Sequence, residues 1–220
     1  MPPDPDLDVL HTRNYEVRSF RQDASTLVIR GAVRDVKPAG LYVEGDTEPL
    51  TIHHMVVDLE VSFPAMEITG VRVVFEDHPH TACPGIVPHY QHLVGLSITR
   101  GFTHKVRELF GGPRGCTHVT ALLQAMAPVA NQSRFSMSIS AGRGTPVELR
   151  TPPTMEQRRL LFAGNVNTCH VWDAEGEHVQ NLARGGESEL PLWIRKRFAE
   201  LGRDPGDWRS SLAPATKPQP

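Results

Sequence analysis

"IHHMVVDLEVSFPAMEITGVRVVFED", residues 52–77, decides the fold. Met55, Val57, Leu59, Val61 and Phe63 occupy alternate positions, as do Val71, Val73 and Phe75 further on. Strict alternation with one apolar face is the mark of a half-solvated strand in an antiparallel sheet. Pro64-Ala65-Met66 lies between the two runs and reads as a three-residue turn. Pairing outward from it sets Leu59 opposite Val71, Val57 opposite Val73 and Met55 opposite Phe75. A slip of one residue would turn every apolar side chain to the wrong face. The same ladder, continued, brings His53 opposite Asp77 and His54 opposite Glu76, with Asp58 opposite Arg72.

The strand before obeys the same period. Leu27, Ile29, Gly31, Val33 and Asp35 share one face. Setting Val33 opposite Met55 brings Ile29 to Leu59, Leu27 to Val61 and Asp35 to His53. "YEVRSFR" (15–21) reads as a fourth, outer strand. Beyond residue 77 the period changes. "PGIVPHYQHLVGLS", "GFTHKVRELFGG" and "CTHVTALLQAMAPVA" space their apolar residues by three and four, so they read as helices, and "LPLWIRKRFAELG" (190–202) as a last one. Strands first and helices afterwards is the α+β order: an antiparallel sheet of three to four strands with helices packed on one face. The core domain is expected over 13–139. A linker and a helical extension of the same domain follow over 140–205, between flexible ends at 1–12 and 206–220.

Composition bounds the function. The 220 residues are 39% apolar and 22% charged, with a net charge of -2. That balance gives no pull toward nucleic acid or an acidic membrane surface. No apolar run has the length of a membrane span, and no secretory signal opens the chain. Three cysteines are too few for a disulfide framework and fit a reducing cytoplasm. The expected partner is a small molecule, with a homo-oligomer left open.

The site follows from the register. Asp35, His53 and Asp77 form a row on the core-facing side, at one end of the sheet. A carboxylate in a core-facing position must be paired or hydrogen-bonded, and a histidine flanked by two carboxylates has its tautomer fixed. "DHPHTACPG" (77–85) then adds His80 and Cys83 to the loop leaving that end. "GGPRGCTH" (111–118) sets Cys116 and His118 at the opening turn of a helix, where exposed N–H groups favour a thiolate. "NTCH" (167–170) adds Cys169 and His170. Each cysteine stands within three residues of a histidine, and cysteine and histidine are the usual ligands of zinc and also suit iron. The plain alternative for any one cysteine is a small buried hydrophobe.

The blocks "VRDVKP" (33–38), "IHHMVVDLEVSFPAMEI" (52–68), "CPGIVPHYQHLVGLSITRGF" (83–102), "GGPRGCTHVTALL" (111–123) and "NTCHVW" (167–172) resemble a bacterial family catalogued only as a domain of unknown function. The resemblance covers roughly residues 13–175, and Gly-Cys-Thr-His is its most specific element. It implies no particular activity; the family's setting is similar to that of genes for aromatic and acyl-compound breakdown. The order of strands, Cys loop and Gly-Cys helix start also resembles iron–sulfur scaffold proteins of the NifU type. Their cysteine between the second and third strands is missing from loop 37–50 here.

Two function classes follow. One is a hydrolase or carbon–carbon lyase acting on an acyl or aromatic compound. In it His53, oriented by Asp35 and Asp77, is the base, and Cys116 the nucleophile. Cys83, Cys116, His118, His80, Cys169 and His170 are the candidate ligands for zinc or iron. The other is a non-enzymatic metal or iron–sulfur binder using the same residues as a closed ligand set.

Overall fold

The computed structural model describes residues 4–141, 154, 156 and 162–208. The chain divides into two compact units, Met1–Arg134 and Phe135–Pro220.

The first unit is the α+β body. Strands β1 (Thr12–Arg21), β2 (Thr26–Lys37), β3 (Leu50–Ser62) and β4 (Ile68–Asp77) form one antiparallel sheet in that spatial order. The pairings Val33↔Met55, Ile29↔Leu59, Leu27↔Val61 and Asp35↔His53 match those read from alternation, as do Met55↔Phe75, Val57↔Val73, Leu59↔Val71 and Asp58↔Arg72. The apolar face holds because Ile29, Val33, Met55, Val57, Leu59 and Val61 are all buried.

Both ends of the β3–β4 ladder depart from the simple extension. Register shifts fall between Glu60 and Val61 and between His54 and Met55. Near the turn, Met66 sits at φ 60 with its side chain buried, and Ser62 and Glu67 close the loop through a 2.8 Å backbone bond. At the far end the extra residue sets Asp77 opposite His54, not His53. One inserted residue is all a β-bulge needs to move each later partner by one position. The three-strand row therefore stops at two strands.

Helices cover the apolar face. Residues Cys83–Leu93, expected as an α-helix, form a 3-10 helix. Pro88 lies inside it and lacks the N–H that an α-helical bond requires. Helix α1 (Phe102–Phe110) buries Phe102, Val106 and Phe110, and α2 (Thr117–Ala141) buries Val119, Leu122, Leu123, Met126 and Ala130. Helix α2 follows β2 along the sheet. His118 meets Asp35, Leu122 and Met126 press on Gly31, and Ser133 bonds Ser19 at 2.6 Å. A Cβ at Gly31 would lie 2.8 Å from the Met126 sulfur, so glycine sets how closely the helix approaches the strand. The start of α2 therefore stands over the sheet end that carries Asp35.

The second unit is helical where described. It has a 3-10 turn at His170–Trp172 and short helices at Glu177–Ala183 and Leu192–Glu200. Phe162 stacks on Trp172 at 5.5 Å, while Ile194 and Phe198 are buried. Of the linker and extension expected over 140–205, residues 142–153, 155 and 157–161 lie outside the described residues, as does the tail from residue 209 onward. Among the described residues no helix is long and apolar enough to cross a membrane.

A candidate metal centre at the sheet end

Asp35 is the hub. Its side chain is only 1% exposed, in keeping with its core-facing parity. Arg13, directly opposite on β1, clamps it with two hydrogen bonds: Nε to Oδ1 and Nη2 to Oδ2, each 2.6 Å. His118 Nε2 lies 3.0 Å from Oδ2 and His53 Nδ1 lies 3.2 Å from the same oxygen. His11 Nε2 stands 3.5 Å from Oδ1. The His53 and His118 rings lie 3.9 Å apart, centre to centre.

Two of these groups have displaced protonation equilibria. The Arg13 hydrogen bonds, helped by the nearby positive charge, outweigh burial and hold Asp35 down to about 2. His118 is pushed below the usual histidine range, first by burial and then by the neighbouring His53 and Arg13. Its imidazole is thus biased to the neutral form. Donating Nε2–H to Asp35 leaves Nδ1 as the acceptor, and Cys116 Sγ sits 3.7 Å from it.

Cys116 immediately precedes the first helical residue of α2, and its carbonyl accepts the Thr120 N–H at 2.9 Å. Its own N–H donates to the Tyr90 hydroxyl at 2.8 Å. Tyr90 is fully buried, and burial raises its phenol to about 12. The 3-10 helix thus fixes the first turn of α2, which in turn holds His118 against β2.

Among the described residues, the group of three His, Cys, Asp or Glu side chains able to hold an ion is Asp35, His53 and His118, with ligand atoms within 4.8 Å of one another. His53 Nδ1 is buried and makes no hydrogen bond of acceptable geometry. An orphaned nitrogen at such a point is costly unless something else satisfies it.

The other residues singled out from sequence fall as follows. Asp77 is half-exposed, with its carboxylate 4.0 Å from His54 Nδ1, so the bulge has removed it from the Asp35–His53 pair. Cys83 is half-buried at the start of the 3-10 helix, and His80 is exposed in the loop before it. Neither belongs to the three-residue group. Cys116 is half-buried beside that group, in contact with His118. Cys169 and His170 belong to the second unit, where both are exposed. Sequence reasoning overlooked Arg13, His11 and Tyr90. Arg13 was within reach: the β1–β2 hairpin register alone sets it opposite Asp35. Tyr90 offered no signal, because its role depends on how the 3-10 helix meets α2.

Asp35 makes the metal-free protein acid-sensitive. Its folded value lies below its ordinary 3.8, so the carboxylate stabilises the fold above that value. About 2 kcal/mol is then lost as pH falls from about 4 through about 2. His118 acts with the same sign at higher pH, since its depressed value opposes protonation as pH drops below the usual histidine range. Urea midpoints measured between pH 8 and about 2 should therefore decline in two stages. In Asp35→Asn the lower stage should shrink, with Asp58, held low by its hydrogen bonds from Arg30, still contributing, while the upper stage persists.

No curated protein and no solved structure matches the chain. A family model described as a protein of unknown function (DUF2889) matches residues 11–132, more than half of the sequence. That span holds all four strands and every residue from His11 to His118 that surrounds Asp35. The chain, with the Asp35, His53 and His118 group inside its matched region, is a member of the DUF2889 family.

Proposed function

We propose that the chain is an enzyme of small-molecule breakdown, a hydrolase or carbon–carbon lyase, built on a metal centre of His53, His118 and Asp35. The observation that carries this reading is the convergence of two imidazole nitrogens on Asp35 Oδ2, at 3.0 and 3.2 Å, one of them buried without a hydrogen bond. Two ligands each about 2.0–2.1 Å from one ion, at tetrahedral or octahedral angles, stand roughly 3 Å apart. Two histidines and one carboxylate suit zinc or non-haem iron and leave coordination positions open, as a catalytic site needs. Among the described residues the group holds three converging ligands, a number that favours an enzyme over a closed binder.

A bound zinc or iron would supply Lewis-acid polarisation of a substrate carbonyl. The protein's own residues prepare the site for it. His118 is biased to the neutral form a ligand needs, and moving its proton from Nε2 to Nδ1, beside Cys116 Sγ, would free Nε2 to bind. Arg13 holds the Asp35 carboxylate so that Oδ2 faces both imidazoles. Arg13 also adds a positive charge, which disfavours hard cations that rely on carboxylates and leaves the imidazoles as the selective element. Cys116, half-buried at the start of α2, lies close enough to His118 Nδ1 to fix the ring.

A second reading rests on one specific contact. Cys116 Sγ, His118 and Asp35 follow one another in the order thiol, imidazole, carboxylate, at 3.7 and 3.0 Å. That is the order of a cysteine nucleophile, its base and the group that orients the base.

Equilibrium dialysis with zinc and with iron(II), followed by elemental analysis, separates the two. On the metal reading, His53→Ala and His118→Ala each lower affinity at least about tenfold, while Cys116→Ser keeps the metal. A protein that binds neither ion but is rapidly alkylated by iodoacetamide at Cys116, with that reactivity lost in Asp35→Asn, supports the thiol reading and ends the metal one.

A further inference from the structure

We propose that two copies of this chain join through β1, edge to edge, to form one continuous eight-stranded antiparallel sheet. Strand β1 is the outermost of the four and pairs with β2 through ten consecutive residues without a register shift. It contains no proline, and among the described residues no backbone group outside β2 bonds to residues 12–20. The opposite edge is treated differently. Ile68 exchanges bonds with Gly95 and Leu96, Glu67 bridges to Ser97, and Gln91 Nε2 donates to the Val71 carbonyl. An uninterrupted edge without proline, bulge or cover is a template for another strand.

The sequence of β1 selects a second copy as that strand. Antiparallel self-pairing about a two-fold axis must set residues of equal parity opposite one another. With the axis at Val17, Glu16 faces the partner's Arg18 on the outer face, and the contact occurs twice. Tyr15 then faces the partner's Ser19 on the core side. Moving the axis one residue either way sets Glu16 against itself or Arg18 against itself, so charge selects the register. Both side chains are well exposed, Glu16 at 62% and Arg18 at 65%, and form an ion pair with each other along the strand. Tyr15 and Phe20, on opposite faces of the strand, are also exposed, and α2 reaches the core face of β1 further along, where Ser133 bonds Ser19. At the ends of the pairing Arg13 faces the partner's Arg21, but Asp35 already balances Arg13.

Light scattering coupled to gel filtration tests this on the full chain. The expected result is a species of twice 24.4 kDa that dissociates on dilution. Glu16→Arg and Arg18→Glu should each weaken the dimer about tenfold by opposing like charges at both symmetric positions. The double swap Glu16→Arg/Arg18→Glu should restore it. Circular dichroism checks that each variant is folded, as expected for exposed positions. A wild-type monomer throughout the micromolar range overturns the proposal. So does a dimer that either single swap leaves unchanged.

Discussion

Arg13→Ala is expected to lower the unfolding free energy by about 3 kcal/mol, more than Asp35→Asn. The inequality comes from burial. Asp35 is 1% exposed, whereas Arg13 is 34% exposed. Removing the guanidinium strands a carboxylate that water cannot reach, with only histidines beside it. Neutralising the carboxylate instead frees an arginine whose head can turn to solvent, at a cost of about 1–2 kcal/mol. The double variant should recover part of the Arg13→Ala loss, because an amide needs no counter-ion. Urea unfolding of the metal-free protein at pH 7 measures all three. Should Asp35→Asn prove the more damaging single change, Arg13 is not what makes the buried carboxylate tolerable.

Gly115→Ala is expected to damage both fold and site, at about 1–3 kcal/mol of stability and at least about a tenfold loss of zinc or iron affinity. The cause is space, not backbone conformation. Gly115 has φ -159, which any residue adopts. A Cβ there would lie 2.5 Å from the Phe110 carbonyl oxygen and 2.9 Å from Phe110 Cβ. Phe110 is buried, and its carbonyl already accepts the Thr120 hydroxyl at 3.0 Å, so neither neighbour yields. The strain passes to the next residues, Cys116 to His118, and moves the His118 ring from Asp35. Gly112→Ala is the control. It is disfavoured by its φ of 60 but meets nothing within 4 Å, so it should lose about 1 kcal/mol and leave affinity unchanged. Equal effects of the two substitutions on metal affinity would show that close packing at Gly115 does not hold the site.

The sequence by itself determined the sheet and half of the site. A period of two with one apolar face leaves a single register that buries Ile29, Val33, Met55, Val57 and Leu59 together, and that register carries Asp35 to His53 without further information. A slip would expose the whole core, so the hydrophobic effect enforces the pairing. The same alternation could not reveal the bulge between His54 and Met55, because past Met55 no apolar pair remains to penalise a shift; Asp77 moved to His54 there. Nor could it separate His118 from the other histidines near cysteines. His118 is at the centre because Gly31 lets Met126 and Leu122 lie close on β2, Tyr90 anchors the Cys116 N–H, and Gly115 permits the tight approach to Phe110. Apart from Gly115 on Phe110, these are contacts between residues 26 to 95 positions apart along the chain. Local spacing carries no record of them, and only close packing in three dimensions chose His118 over its neighbours.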